Sequence, residues 1–571
     1  MLIKVTFRKE QSQLHFLKKH LELNNYIYLF FLLMSGIILS MPLIDTKFIA
    51  SHDCIFHITR IIDVSEALKE GTFPVRMYTD PIHFWGQPVG FFYPGLFVYI
   101  PAILRCLGLP IEICYNLFIA LIVFTGLFSS WYGYTLLTKS KNIGFLSALL
   151  YISSGYYLLD AYVRSALGEL LALSFMPLAI ACVCSFINKA KLPINIYITG
   201  ILAISAVIES HVLSSVFLVL FSLCYCGHQY KKINIAIIRR LLYVITIVIL
   251  LNASFIIPFL YFYIKVPLSL DYVEYFSQSG WSVRVILRFL FLWNSWLFLG
   301  IYLFISSIVH PSKCFTLSNR KQYIFYLSYF LLGLFFLFLS SDVFPWKSFS
   351  PVEKIFRIMQ FSWRFLGFST LFFCVCSGCM LHRFLRNLKN NPFAVCTLAI
   401  TIVVTSFTAF NYFVPKPSWT ISQKYYWNSK EAAAVRPYNS DTDYLYKDVN
   451  KKMLFQQGNH YTSSAIIYNY QKNLTSISFT YQATKDSEIT IPLINYPGYV
   501  ATNHEGKRLQ IKEGYNHMIV IPLAKGIGTI NVYYKGVLLF KLSDYISLSA
   551  LLVYIYNILQ IQKLKNWHKL L

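Results

Sequence analysis

Long apolar stretches separated by short polar segments dominate the chain from residue 26 onward. Each stretch holds roughly 17–25 residues, the length that an α-helix needs to cross the hydrocarbon core of a bilayer. The pattern predicts a polytopic α-helical membrane protein with about twelve transmembrane helices, near residues 26–44, 113–137, 143–159, 167–187, 193–209, 211–227, 241–264, 286–308, 323–340, 365–382, 392–414 and 543–561.

A further apolar segment, residues 95–109, decides on which side of the membrane the following loops lie. Counted as a span, this segment would place Lys139 and Lys141 outside. It is short and interrupted by prolines, which favours a re-entrant or outer-leaflet helix over a span. Residues 45–112 are then predicted to form one long external loop.

The positive charge of the loops gives the orientation. With the N-terminus inside, the cytoplasmic segments collect most of the loop lysines and arginines, as membrane proteins generally require. These segments are the basic N-terminus 1–25, the short internal loops and the tail after residue 561. We therefore predict a cytoplasmic-membrane protein with both termini in the cytoplasm.

The polar region 415–541 has a different pattern. Residues 475–482 and 528–534 alternate apolar and polar positions with the period of a β-strand. This region is predicted to be a small extracytoplasmic β-sandwich. It would be followed by the last helix and a basic tail at 542–571.

Composition supports a membrane protein and argues against a soluble, nucleic-acid-binding or nucleotide-binding protein. The chain of 571 residues is 56% hydrophobic and only 13% charged, whereas soluble domains carry about 25% charged residues. The net charge of +25 is attributed to retained basic loops, so no nucleic-acid partner is expected. The 12 cysteines show no zinc or disulfide spacing, and no nucleotide-binding or nucleophile-elbow motif occurs.

Polar residues of the first external loop are the leading candidates for chemistry. Asp53, His57 and Arg60 have the spacing of one helix face, with His52 beside them. A carboxylate can take a proton from an acceptor hydroxyl, and Asp53 with His57 could ligate a divalent cation such as Mg²⁺ or Mn²⁺. The alternative is that Asp53 only caps a surface helix.

Three later polar sets are predicted to reach the same side of the membrane. Arg164 and Arg364 could bind a phosphate, since arginine presents a planar fork of donors. The alternatives are a neutralising ion pair at the membrane surface and an interfacial anchor. The supporting residues of these sets are Glu169, Glu209, His211, Gln360 and Trp363.

The chain resembles bacterial GT-C type membrane glycosyltransferase-like proteins, and in particular the multipass family labelled 6-pyruvoyl-tetrahydropterin synthase-related. The resemblance rests on His52-Asp53 through GQPVGFFYPGLFVYIPAILRCLGL, on YVRSALGELLALSFMPLAI, on QFSWRFLGF and on INYPGYVATNHEGKRL. It implies a GT-C like transmembrane domain at 26–414, a polyprenyl-phosphate sugar as donor, and an acidic residue of the first external loop at the active centre. By position that residue is Asp53. GT-C enzymes often have two adjacent acidic residues here, whereas this chain has His52-Asp53.

These features together predict a glycosyltransferase in the membrane. It would move a sugar from a polyprenyl-phosphate carrier to a cell-envelope glycan or lipid acceptor at the outer face, with membrane lipid as its surroundings. Two alternatives stay open. A lipid-linked glycan flippase would line a translocation path with the same charges, and a non-catalytic envelope assembly protein would use the β-domain.

Overall fold

The computed structural model describes most of the chain. The described residues are 25–44, 48–49, 51–78, 85–268, 276–292, 295–309, 320–349, 351, 353, 356–387, 392–413, 426–427, 444–450, 461–472 and 476–570. The predicted basic N-terminal segment lies almost entirely outside them, as do parts of the predicted external loop and of the region 415–541.

Helices account for the first three quarters of the described chain, because its apolar stretches satisfy their backbone groups internally. Their bounds are α1 Asn25–Ser40, α2 Cys54–Lys69, α3 Tyr99–Cys106, α4 Ile111–Thr138, α5 Lys141–Ile152, α6 Gly155–Leu159, α7 Leu167–Asn188, α8 Ile194–Ile208, α9 Val212–His228, α10 Ile235–Leu251, α11 Ala253–Lys265, α12 Val283–Leu292, α13 Ser295–Val309, α14 Arg320–Ser340, α15 Phe365–Asn387, α16 Pro392–Phe413 and α17 Leu538–Leu570.

Six stretches among the described residues are long and apolar enough to cross a membrane. They are Asn25–Leu43, Ile111–Thr138, Leu167–Asn188, Arg320–Ser340, Ser362–Leu385 and Leu538–Gln560. Two bent pairs raise the number to eight if each is one span: α5 with the helix that follows it, bent by 42°, and α10 with α11, bent by 77°. Each predicted span coincides with one of these helices, with a bent pair, or with a shorter apolar helix. Because the shorter helices do not reach spanning length, the structure does not confirm the count of twelve.

Residues 95–109 form a short helix, as their prolines suggested. The apolar helix Leu96–Cys106 is about 16 Å long at ~1.5 Å per residue. That length is roughly half of the ~30 Å hydrocarbon core, so this helix is too short to cross it alone. Arg105 at its end donates to Ser65 and Glu66 of α2, which fixes the two helices side by side.

The helical core is organised around α7 and α15, whose apolar side chains are nearly all buried, and α4 packs against it with one face. Close approach of α4 and α7 requires a residue without a side chain at Gly133. A Cβ atom there would lie 2.6 Å from the backbone of Pro177 and Leu178. This tight crossing fixes the two helices that lead to and from the polar residues described below.

The C-terminal region contains two antiparallel sheets whose inner faces share one hydrophobic core. Alternation of apolar and polar residues gives each strand one inner and one outer face. The strand order is β3–β6–β10–β9 in one sheet and β4–β5–β11–β7–β8 in the other. The strands are β3 Thr462–Ser463, β4 Ile466–Lys472, β5 Ser476–Ala483, β6 Ser487–Ile494, β7 Tyr499–Asn503, β8 Arg508–Leu509, β9 Lys512–Glu513, β10 Met518–Leu523 and β11 Gly526–Tyr534; a separate pair joins β1 Phe48–Ile49 to β2 Tyr426–Trp427.

This two-sheet domain is fixed to the segment between α2 and α3. The Ile494 N–H donates to the Trp85 carbonyl at 2.8 Å, and Trp85 is fully buried in a second apolar cluster. Arg76 donates to both carboxylate oxygens of Asp544 in α17 and to the Ser254 carbonyl at 3.0 Å. The β-domain is therefore fixed against the same chain segment that leads to the candidate site.

Candidate active site

The N-terminus of α2 is attached to the turn that precedes α7. The His52 N–H donates to the Val163 carbonyl at 3.2 Å, and the Asp53 N–H donates to the Arg164 carbonyl at 2.8 Å. Asp53 stands at the N-cap position of α2, yet its carboxylate makes no capping hydrogen bond. The side chain is half-buried and has no hydrogen bond or ion pair to a described residue. The helix-cap alternative therefore does not account for this carboxylate.

The turn that receives these bonds has an unusual backbone. Asp160–Arg164 is a π-helical turn, and Ser165 after it has a left-handed φ of 53°. π-turns and positive φ in residues other than glycine cost energy and concentrate at functional sites. The Ser51 hydroxyl donates to the Ser165 hydroxyl at 2.6 Å, which ties the strained turn to α2.

Arg164 lies between two carboxylates. Its Nη1 donates to Asp160 and, at 3.0 Å, to Glu169 Oε2 in the first turn of α7. The guanidinium also stacks on the Trp363 ring, with 4.5 Å between the Cζ atom and the ring centroid. These contacts bring together residues from two distant parts of the sequence.

Arg364 approaches the same Glu169 from the opposite side. Its Nε lies 3.3 Å from Glu169 Oε2, and its Nη1 donates to Gln360 Oε1 at 2.8 Å and to the Met359 carbonyl at 3.1 Å. Gln360 has a φ of 64°, the second strained backbone position in the cluster. Glu169 therefore lies between two guanidinium groups and holds them close together.

Each guanidinium retains donors after these contacts. Nη2 and Nε of Arg164, and Nη2 of Arg364, make no hydrogen bond to a described residue. Paired N–H groups of this kind suit a phosphate, which takes two parallel hydrogen bonds from arginine.

Two opposing influences act on the pKa of Asp53. Burial raises the pKa of its carboxyl above the ordinary range of aspartate, whereas the cations of Arg164 and Arg364 lower it. The dominant cause is burial. A carboxyl with a raised pKa beside cations suits a general base that takes up and releases a proton.

His57 and Arg60 do not point with Asp53 into one polar cluster. Nε2 of His57 accepts a hydrogen bond from the Leu167 N–H at 3.2 Å, and burial with the Arg60 cation lowers the pKa of this imidazole well below its usual value. Arg60 donates to the carbonyls of Pro94, at 2.8 Å, and of Tyr93. Both side chains hold the loop against α7, while His52 is exposed at the rim.

Tyr93 packs its ring against Arg60 and His57, beside the charged residues described above. Its ring lies 4.4 Å from the Arg60 guanidinium and 5.6 Å from the His57 ring, and its hydroxyl makes no hydrogen bond to a described residue. The hydroxyl packs against Gly168, where a Cβ atom would lie 2.4 Å from it and 2.7 Å from the Ser210 carbonyl. Asp53, Glu169 and Arg364 all lie within electrostatic range of this phenol.

The Glu209/His211 pair lies on the far side of Tyr93. Glu209 lines a small cavity together with His57, Tyr93 and Gly168, and makes no hydrogen bond or ion pair to a described residue. Nδ1 of His211 lies 2.9 Å from the Ser214 hydroxyl, and its ring is 6.2 Å from that of Tyr93. These two residues are neighbours of the charged cluster but not members of its ion-pair network.

Of the two residues predicted to bind a metal ion, Asp53 has a ligand atom free of described partners, whereas His57 Nε2 is already in use. No group of three His, Cys, Asp or Glu side chains that could hold a metal occurs among the described residues. His57 already uses Nε2 as an acceptor, so that nitrogen is not free for a metal. Asp53 is therefore the one predicted ligand that is still available. Mg²⁺ is commonly bound by one or two carboxylates together with a substrate phosphate.

Sequence reasoning missed one member of the cluster. The Tyr156 hydroxyl donates to Glu169 Oε1 at 2.7 Å. Nothing in the sequence separates Tyr156 from the other tyrosines of a chain that contains 42. Asp160 was recognisable as an intramembrane carboxyl, but its direct pairing with Arg164 depends on the π-turn.

No family model matches the chain, and no curated protein matches it in sequence. Several solved structures resemble it in part. The arabinofuranosyltransferase AftD from Mycobacteria has 13% identity over 68% of this chain, with a TM-score of 0.42. ArnT from Cupriavidus metallidurans, bound to undecaprenyl phosphate, has 12% identity over 63% of the chain and a TM-score of 0.38. The oligosaccharyltransferase of Archaeoglobus fulgidus, in its apo form, has 9% identity over 68% and a TM-score of 0.39.

The matched regions span 26% of AftD, 61% of ArnT and 56% of the oligosaccharyltransferase. The similarity is thus partial in both directions. A functional assignment for this chain therefore depends on its own site residues.

Proposed function

We propose that the protein is a membrane glycosyltransferase. It would transfer a sugar from a polyprenyl-phosphate carrier to a cell-envelope glycan or lipid acceptor, on the outer face of the cytoplasmic membrane. The observation that carries the proposal is the Asp53 carboxylate, which makes no hydrogen bond or ion pair to a described residue and is held by its backbone against Arg164. A potential base thus stands beside two arginines that retain free donors.

The proposed reaction has one base and one leaving group. Asp53 takes the proton of the acceptor hydroxyl as the hydroxyl oxygen bonds to the anomeric carbon of the donor sugar. The bond between that carbon and the phosphate oxygen breaks, and the electron pair leaves with the polyprenyl phosphate. Attack opposite the leaving phosphate inverts the anomeric configuration.

Arg164 and Arg364 would stabilise the departing phosphate. Negative charge grows on the phosphate oxygen as the sugar leaves, so donors aimed at that oxygen bind the transition state more tightly than the ground state. Glu169 fixes both guanidinium groups before the donor arrives, since each lies within 3.3 Å of its Oε2. Gln360 and Trp363 restrict the same two groups by a hydrogen bond and by ring stacking.

A divalent cation is compatible with this scheme but supplies no step in it. When bound, Mg²⁺ or Mn²⁺ would neutralise phosphate charge, with Asp53 as its protein ligand. Asp53, Arg164 and Arg364 carry out the proton transfer and phosphate binding described above.

Two other functions compete with this proposal. A flippase would use polar groups along a path through the bilayer, whereas the charged residues here converge on Glu169 at the start of α7. A non-catalytic assembly protein would use the β-domain and would not need the Asp53 carboxylate.

Substitution of Asp53 tests the proposal directly. In cells that depend on this gene, Asp53→Asn should abolish the glycan modification, because the amide cannot take a proton; positioned bases contribute about 10²–10⁴-fold to rate. Glu66→Gln is the matched control, since Glu66 lies on the same helix and, among the described residues, pairs with Lys69 and Arg105. Mass spectrometry of envelope glycans should show loss of one sugar unit in the Asn variant alone. Intact glycans in a well-inserted Asn variant would remove the proposed role of Asp53.

A further inference from the structure

One face of the five-stranded sheet carries uncharged polar side chains in register. Asn531 of β11 pairs with Ser478 on one side and with Thr502 on the other. The next row contains Thr529 and Thr480, and the row beyond contains Gln482. We name this surface the Asn531 face and define it by Ser478, Thr480, Gln482, Thr529, Asn531 and Tyr533.

The face is partly exposed. The apolar side chains that flank it are strongly exposed, at 58% for Ile466 and 73% for Ile527. Asn531 and Ser478 are half-buried, and their side chains make no hydrogen bond to a described residue. Other polar groups are already in use: Tyr468 donates to Gln482 at 3.0 Å, the Thr480 and Thr529 hydroxyls lie 3.3 Å apart, and Thr502 is buried. Donors and acceptors are thus available chiefly at Asn531 and Ser478.

The charge of this face differs from that of its surroundings. Outward positions of β4, β5, β11 and β7 carry no ionisable group other than tyrosine, and Arg508 of β8 lies at the edge. The outward side of the other sheet carries an ion pair between Lys512 and Glu488 at 2.6 Å. In a chain of net charge +25, an uncharged surface of this extent favours a neutral partner.

The chemistry of the side chains narrows the partner further. Hydroxyl and amide groups act as both donors and acceptors, as sugar hydroxyls do. Tyr533 and Tyr468 add ring surfaces that can cover the apolar C–H faces of a sugar. Neighbouring strands lie ~4.8 Å apart, so a polymer lying across the sheet would meet a polar side chain at every strand.

We infer that the Asn531 face binds a neutral glycan chain. Hydrogen bonds from Asn531 and Ser478, with stacking on Tyr533, hold the polymer against the five-stranded sheet. This binding is independent of sugar transfer at Asp53, because it needs only the β-domain surface.

Binding to immobilised neutral polysaccharides tests the inference. The full-length protein in nanodiscs is passed over dextran, mannan and arabinogalactan, with alginate as an acidic comparison. We expect retention on at least one neutral polysaccharide, and retention that does not change between 0.1 and 0.5 M salt, since no charges meet at the face. Loss of binding at high salt would assign it to the basic segments and overturn the inference.

Paired variants locate the site. Asn531→Ala with Tyr533→Ala should weaken retention at least tenfold, and Ser478→Ala with Gln482→Ala provides a second, milder change on the same face. Glu488→Ala with Lys512→Ala, on the outward side of the other sheet, is the matched control and should bind as the wild type does. Failure of all neutral polysaccharides to bind, equal binding by the face variants, or conversion of a dimer to a monomer by those variants would each overturn the inference.

Discussion

Two regions of the molecule contain arginines paired with carboxylates, and they use them differently. Arg76 donates to both oxygens of Asp544 and to the Ser254 carbonyl, joining the segment before α3 to α17. Arg164 and Arg364 share Glu169 and keep N–H groups without a described partner. In the first arrangement both terminal nitrogens of the arginine and both carboxylate oxygens form hydrogen bonds, whereas in the second one terminal nitrogen of each arginine forms none to a described residue.

The difference separates a structural ion pair from a binding site. Buried donors are normally satisfied, so N–H groups left over in an ion-pair cluster indicate a missing acceptor. Asp53 is the corresponding acceptor, because its carboxylate receives no hydrogen bond from the part of the chain that the structure describes. The charged cluster therefore offers both an acceptor for a proton and terminal N–H donors for an anion, whereas the terminal nitrogens and carboxylate oxygens of the Arg76 contact are already in use.

Loss of an arginine in the open cluster should have the largest effect. We expect Arg364→Gln to weaken binding of undecaprenyl phosphate by about 10- to 100-fold, because a charge-assisted hydrogen bond is worth roughly 1.5–3 kcal/mol. Scintillation proximity or thermophoresis with the purified protein measures this affinity. Arg76→Gln should leave the affinity unchanged, and equal losses in the two variants would end the distinction between the regions.

Loss of the closed pair should act on stability instead. Arg76→Gln removes hydrogen bonds from the segment before α3 to α17 and α11, and should lower the stability of the fold by about 1 kcal/mol, since both side chains of the ion pair are partly exposed. Thermal unfolding in detergent should show a lower Tm. The charge-reversed double variant, Arg76→Asp with Asp544→Arg, should recover part of the lost stability. A Tm that neither variant changes would show that the contact contributes nothing.

The smallest expected effect is on the pH profile. The active form of Asp53 is deprotonated, so activity should fall as the pH drops through its raised pKa. Arg364 lowers that pKa, so the Gln variant should move the acid limb of kcat/KM to higher pH. Arg364→Lys keeps the positive charge, so its acid limb should lie at the same pH as that of the wild type. An unchanged limb in the Gln variant would mean that another group controls it.

The sequence predicted the helical class and most residues of the charged cluster, but it did not predict how those residues contact one another. Apolar stretches of spanning length mark α7 and α15, which both begin at the site, and intramembrane charges are rare enough to be noticed, as with Arg164. The alternation in 475–482 likewise identified a strand, β5. These features depend on local composition and periodicity.

The parts that could not be predicted depend on contacts between distant residues. Helical spacing placed Asp53, His57 and Arg60 on one face, but their partners come from three other segments, so the side chains have separate roles. Likewise, no local signal shows that a π-turn after α6 presents its carbonyls to the start of α2.

Gly168 carries a practical consequence for mutational work on this protein. The loop containing Tyr93, the start of α7 and the end of α8 meet at a position where a single methyl group would collide with two of them. An alanine scan, which finds important residues by removing atoms, would add one here. A severe Gly168→Ala phenotype would then reflect separation of three segments and not the loss of a chemical group, and it should not be counted among catalytic positions.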